Sequence, residues 1–316
     1  MKKHFIVYGL ILIILLIFPQ SIDNGYIMHL SIMVLYFALA SQAWNILSGY
    51  SGQFSFGHAA FFGIGAYIST ILLINYNITP WVGMIVGALV AMIVGLIIGF
   101  LSFRYKLRGA YFSLGTLAFA EILRIIVQNT EYFNKSQGFL IPLDPNPAYF
   151  QFGSRIGYYY TILIMLVIAT FFVYKMSRSR LGFNLIAIRE NEDAAQSLGV
   201  NTFKNKMLAI ALSAGITALS GSFYAQYILY IEPSTTFGND VSINILLPAI
   251  IGGMGTVLGP IIGALLIIPL GELTSTYFGG YAGVDLMTYG LILVLVVLFL
   301  PGGIVGWFQD RFGKKD

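Results

Sequence analysis

The chain has 316 residues, of which 58% are hydrophobic and only 9% charged, with 17 Lys and Arg against 13 Asp and Glu. Soluble domains carry about 25% charged residues, so the composition excludes a water-soluble globule, and the long apolar runs lack the two-residue alternation of a β-barrel. The absence of Cys excludes disulfides, thiolate metal sites and Cys nucleophiles. The excess of four positive charges sits at the ends of apolar runs, which marks topology rather than nucleic-acid binding.

The expected fold is therefore an all-α integral membrane protein, a polytopic bundle of about ten transmembrane helices in one domain, 1–316. Candidate spans fall at 5–19, 28–47, 57–74, 81–103, 109–128, 158–176, 207–230, 242–254, 256–271 and 284–300. The first span follows Lys2 and Lys3 like a signal peptide. It lacks a small-residue cleavage pattern, so it is read as uncleaved. The eighth is too short to cross a core of roughly 30 Å, so it is either a half-helix or a continuation into the ninth through Gly252, Gly253 and Gly255. With ten spans and both termini inside, fourteen of the 17 basic residues lie on the inner side and only Lys135 and Arg155 outside, a strong positive-inside bias. The largest outer loop, 129–157, holds Pro142, Pro145 and Pro147 and reads either as a surface cap or as a docking edge.

Three features stand out from the oily background. In the Gly-rich stretch 49–67, Ser51, Gln53, Ser55 and His58 predict irregular backbone beside a pathway, while Gly63 and Gly65 read as helix packing. Glu121 and Arg124 share a helix face inside a span. They read as a structural pin ahead of a functional ion pair. The charged island 177–206 predicts a cytoplasmic helix over 184–198, capped by Asn184 and ended by Gly199. Its apolar positions Leu185, Ile188 and Ala195, with Leu198 nearby, would enter a groove of a soluble partner, and its acids disfavour a resting place on an anionic membrane surface. The ridges Gly83/Gly87, Gly95/Gly99 and Gly255/Gly259/Gly263 predict close helix contacts. No phosphate loop, metal-binding motif or catalytic constellation is found, so no catalytic, cofactor or metal site is expected.

The segment 182–201 (GFNLIAIRENEDAAQSLGVN) resembles the ATPase-docking loop of ABC importer permeases. Together with 49–67 (GYSGQFSFGHAAFFGIGAY), 108–124 (RGAYFSLGTLAFAEILR) and 252–266 (GGMGTVLGPIIGALL), it resembles the branched-chain amino-acid permeases, M-type subunit, with urea and short-amide permeases as relatives. The resemblance implies ATPase docking through Leu185, Ile188, Arg189, Glu190, Asn191, Glu192, Ala194, Ala195, Leu198 and Gly199. It also implies two pseudo-related halves, a second permease in a heterodimer, two cytoplasmic ATPases that hold ATP and Mg, an external binding protein and a bacterial or archaeal inner membrane. A stand-alone ion-coupled carrier and a non-transporting scaffold are the readings of a different class.

Overall fold

The computed structural model describes residues 15–20, 24–278, 283, 287, 290, 291, 294 and 302–312. Six helices in this set are long and apolar enough to cross a membrane. They are α1 (Gly25–Trp44, running on through a wide π-helical turn, Asn45–Tyr50), α2 (His58–Tyr76), α3 (Pro80–Arg104), α4 (Ala110–Asn129), α5 (Arg155–Ser177) and α8 (Thr202–Ile228). Between α5 and α8 lie α6 (Arg180–Glu190) and α7 (Glu192–Ser197). After α8 come α9 (Pro233–Phe237), α10 (Asn239–Gly252), α11 (Gly259–Phe278) and α12 (Gly303–Phe312). These positions match the second to seventh and the ninth expected spans. The eighth is a separate 14-residue helix, α10, about 21 Å long. The first and tenth spans, and the reading of an uncleaved start, fall largely or wholly outside the described residues.

Burial divides the helices into inner and outer ones. The second half of α1 is buried on every side, and α2 and α8 nearly so. Helix α3 shows why. Val82, Ile85, Leu89, Ile93, Leu96 and Phe100 form an exposed stripe fit for lipid. The opposite face carries the glycine ridges. A Cβ on Gly83 would lie 2.9 Å from the Ser69 backbone of α2, and one on Gly95 would lie 2.9 Å from Ala214 of α8. Lipid offers no hydrophobic drive between helices, so such close approach supplies the dispersion contact that holds them. Gly63 against Phe237 and Gly65 against the Ala218 carbonyl act likewise. The third ridge differs from expectation: Gly259 and Gly263 pack on α10, but Gly255 lies in a loop.

The loop 129–157 is a packed cap. Its strand β1 (Phe139–Leu140) pairs antiparallel with β2 (Tyr230–Ile231), just beyond α8. Trp81 Nε1–H donates to the Pro147 carbonyl at 2.9 Å, and Phe150 is fully buried among Trp81, Phe152, Tyr158 and Phe223. Lys135 and Arg155 lie at this end of the bundle. Arg104, Lys106, Arg108, Lys175, Arg178, Arg180, Arg189, Lys204 and Lys206 lie at the other, the sorting that the basic-residue count anticipates.

Candidate functional site

At the basic end, two loops interrupt the helical chain and meet beside α1. The first, 52–57, lies between the π-helical turn and α2; Gln53, Ser55 and Gly57 are buried and only Gly52 is exposed. Irregular backbone at this depth survives only where its polar groups are met by protein or line a cavity. Here they are met. The Gln53, Phe54 and Ser55 carbonyls accept from Ser48 Oγ (3.0 Å), Ser113 Oγ (2.7 Å) and Trp44 Nε1 (2.8 Å). The Ser55 and Phe56 amides donate to Ser48 Oγ (3.2 Å) and Thr116 Oγ1 (3.1 Å), and the Ala59 amide donates to Ser242 Oγ (2.9 Å) of α10.

His58 is bolted into this lattice. Ser213 Oγ gives its one proton to the Ala43 carbonyl (2.7 Å), so His58 Nε2 must donate to Ser213 (2.7 Å). Nδ1 then accepts from Ser55 Oγ (3.2 Å), which fixes the tautomer and leaves neither nitrogen free. Ser51 Oγ donates to the Leu47 carbonyl. Of the four residues expected beside a pathway, Ser51, Ser55 and His58 are thus spent on the chain itself, and only the Gln53 Oε1 atom is buried without a partner. Ser213, Ser242 and Thr116 escaped sequence reasoning. A lone hydroxyl in an apolar span gives no local sign that it serves a loop more than fifty residues away.

The second loop, 253–258, separates α10 from α11 and draws on the opposite side of α1. Gln42 Nε2 donates to the Val257 carbonyl (2.8 Å). Asn45 Nδ2 donates to the Thr256 carbonyl (2.8 Å), while Asn45 Oδ1 accepts from the Gly255 amide (2.8 Å). Gly255 has φ +74°, a left-handed conformation that glycine adopts without cost. The backbones of Gly49 and Gly255 are so close that a Cβ on Gly49 would lie 2.6 Å from the Gly255 nitrogen and overlap Asn45.

Packed under this junction is the charged island. It is two helices, a correction to the single helix expected over 184–198. Asn191 adopts extended backbone (φ −159°, ψ 106°), ending α6 and capping α7 by accepting from the Ala194 amide at 2.9 Å. Ser179, not Asn184, caps α6, and Asn184 instead reaches Asn205 of α8 at 3.4 Å. Gly199 does end α7 with φ +87°.

A second correction concerns direction. Leu185, Ile188 and Ala195 are buried in the chain's own body, Leu185 in a core with Ile46, Leu47, Tyr50, Val173 and Met176. Glu192 is half-buried and grips Lys206 of α8 at 2.5 Å, and Lys206 also lies 4.8 Å from the Phe103 ring. Arg108 spans Glu192 (3.3 Å) and Asp193 (2.8 Å), and its hydrogen bond holds the Asp193 carboxyl below the usual carboxylate range. Arg189 Nη1 donates to the Gly49 carbonyl at 3.0 Å, while Nε and Nη2 reach Glu190. The outward surface includes Glu190, Asn191, Asp193, Ala194, Gln196, Ser197, Leu198 and Gly199, joined by Phe183 and by the part of Arg189 not covered by the loops. Leu198 is 86% exposed and Phe183 64%.

Glu121 and Arg124 pair bidentately within α4 (2.5 and 2.9 Å), and Arg124 also donates to Gln128. Among the described residues the hydrogen bonds of the pair run to α4 itself. Among the described residues no His, Asp and Glu group could hold a metal ion. At the capped end, a cavity of about 370 Å³ is lined by His29, Leu143, Phe152, Arg155, Tyr158 and Tyr227.

Comparison with known proteins gives the arrangement its context. The family described as branched-chain amino acid transport system / permease component matches residues 26–300. The high-affinity branched-chain amino acid transport system permease protein LivM of Salmonella typhimurium is 28% identical over 97% of this chain and 76% of its own length. LivM of Escherichia coli K12 is 28% identical over 100% and 77%. The high-affinity branched-chain amino acid transport system permease protein LivH of Escherichia coli K12 is 24% identical over 92% of this chain and 96% of its own length. No solved structure matches the chain. With the family match running from the start of α1 past α11, through both interrupted segments and the charged island, this chain belongs to the permease components of branched-chain amino acid transport systems.

Proposed function

We infer that the chain is the transmembrane permease subunit of an ATP-driven importer and carries branched-chain amino acids along a path shared with a second permease. The observation that carries this reading is the α6–α7 handle. Its inner face is fastened to α1 and α8, while its outer face presents Leu198 and Phe183 to water among charges. Large exposed apolar side chains ringed by polar ones mark a protein-binding surface. The occupant proposed is one of two cytoplasmic ATPases, which bind ATP and Mg, and an external binding protein delivers solute at the capped end. On this reading the handle faces the cytoplasm of a bacterial cell, with both termini on that side, and the basic residues at this end of the bundle support it.

Docking then rests on the exposed set Glu190, Asn191, Ala194, Leu198 and Gly199, with Leu185, Ile188 and Ala195 as the handle's own footing and Glu192 as its brace. Gln53 is the pathway candidate with polar capacity left. The relation to LivM and LivH favours leucine, isoleucine and valine over urea or short amides. The closure of Glu121 on Arg124 within one helix disfavours an ion-coupled carrier, which needs a carboxylate free to exchange protons.

The test is co-expression with the companion permease, ATPases and binding protein, followed by purification and leucine uptake into liposomes. Leu198→Asp should insert normally, lose most of the co-purifying ATPase and lose uptake. Leucine uptake driven by an ion gradient without ATP would overturn the reading. Leu185→Asp is not a docking probe, because it places a charge in the chain's own core.

A further inference from the structure

We propose that Arg189 is the positioning residue that couples the handle to both interrupted segments, rather than a contact for the ATPase. This rests on the permease reading and deepens it. Three backbones converge on the one side chain. Its Nη1 donates to the Gly49 carbonyl at 3.0 Å. Its Cγ lies 2.9 Å from where a Gly52 Cβ would be, and its Nη1 fills the place of a Gly255 Cβ. Gly49, Gly52 and Gly255 leave the space, and the arginine occupies it.

Among the described residues, Arg189 is the only handle side chain with a hydrogen bond to the π-helical turn or to either loop. The handle's other braces run elsewhere. Glu192 goes to Lys206 and Arg108, Asp193 to Arg108, and Asn184 to Asn205. A tilt of α6 can therefore reach the loops by hydrogen bond through Arg189 alone. The forked guanidinium suits the task. Nε and Nη2 are held by Glu190, on the same helix, while Nη1 points the other way to Gly49. Asn45 then carries the link across, since it bonds both sides of Gly255 from the turn that holds Gly49.

The experiment uses the assembled transporter in liposomes and reads three quantities: ATPase co-purification, ATP turnover stimulated by leucine-loaded binding protein, and leucine taken up per ATP. Arg189→Ala should keep the ATPases bound and turning over while uptake per ATP falls by about tenfold or more. Gly255→Ala, which drives a methyl into the guanidinium, should fall in the same direction. Its defect should shrink when Arg189 is also Ala, because the two act through one contact. Arg189→Lys, which keeps a donor for Gly49, should retain more uptake per ATP than the alanine variant.

Uptake per ATP within about twofold of wild type in Arg189→Ala would overturn the proposal. So would loss of the ATPases from that variant, which would make Arg189 a docking contact. If Arg189→Ala fails to accumulate, Gly255→Ala decides: normal coupling there overturns the proposal, and lost coupling with bound ATPases supports it. Failure of the wild-type assembly to bind ATPases or to move leucine would instead overturn the permease reading, and the two failures are told apart by that control.

Discussion

The two interrupted segments look alike in sequence and are held in different ways. Both are rich in glycine, both separate a helix end from a helix start, and both lean on the last turns of α1. The first is tied by hydroxyls and an indole from α1 and α4, and the start of α2 that follows it is tied to α8 and α10, so several helices must shift before it can. The second receives its side-chain bonds from Gln42 and Asn45 of α1 and from its own Thr256, and otherwise relies on backbone-to-backbone contact of α10 with α11 at Gly252, Gly259 and Gly263. Small residues at a helix contact therefore do two jobs in one chain: they let a loop be built, and they let helices touch.

The sharpest way to break the comparison is Gly252→Ala. The added methyl would overlap the Gly259 backbone, which cannot yield as a side chain would, and the expected loss is at least about 3 kcal/mol. Thermal unfolding of detergent-solubilised protein would show it. Gly306→Ala in α12, with open space around it, is the control and should change little.

A smaller effect sharpens it. Asn45→Leu removes both bonds to the second loop and leaves the Gly255 amide and Thr256 carbonyl unmet, at about 2–3 kcal/mol. Trp44→Phe, the next residue back, orphans only the Ser55 carbonyl of the first loop, at about 1–2 kcal/mol because its neighbours keep their partners. Hydrogen exchange should report the two losses at different loops, and equal loosening of both would show that they are one unit.

The smallest effect lies in the handle. Asp193 titrates below the usual range when folded, because Arg108 holds its anion. Its contribution is complete above the unfolded value of about 4 and is lost as pH falls through the lower folded value. Asp193→Asn should therefore change the unfolding temperature slightly at pH 7, and by less as the pH falls below about 4. Both groups are exposed, so the difference should be well below that of either loop variant.

Much of this was legible beforehand. Six spans follow from apolar runs of membrane length, and the α3 ridges follow from glycines four apart. The presence of a charged helical segment between α5 and α8 is legible from charge density alone. Its inner geometry is not, since Ser179, Asn184 and Asn191 are all good cap residues and spacing alone does not say which of them start helices. Nor does periodicity say what an apolar face is buried against. Leu185 and Ile188 have the spacing of partner-facing anchors, and they face the chain's own core instead. The side chains of Ser213 and Ser242 are matched to residues 155 and 183 positions away, which no local pattern encodes.

Helix α8 runs 27 residues, roughly 40 Å, and is gripped at both ends. Lys206 is clasped by the handle at its start, and β2 is sewn to the loop-end strand just past its finish. Such a strut works like a pushrod. On the proposed function, a push on the handle enters α8 at Lys206 and leaves it at β2, so the two ends of the bundle move as one.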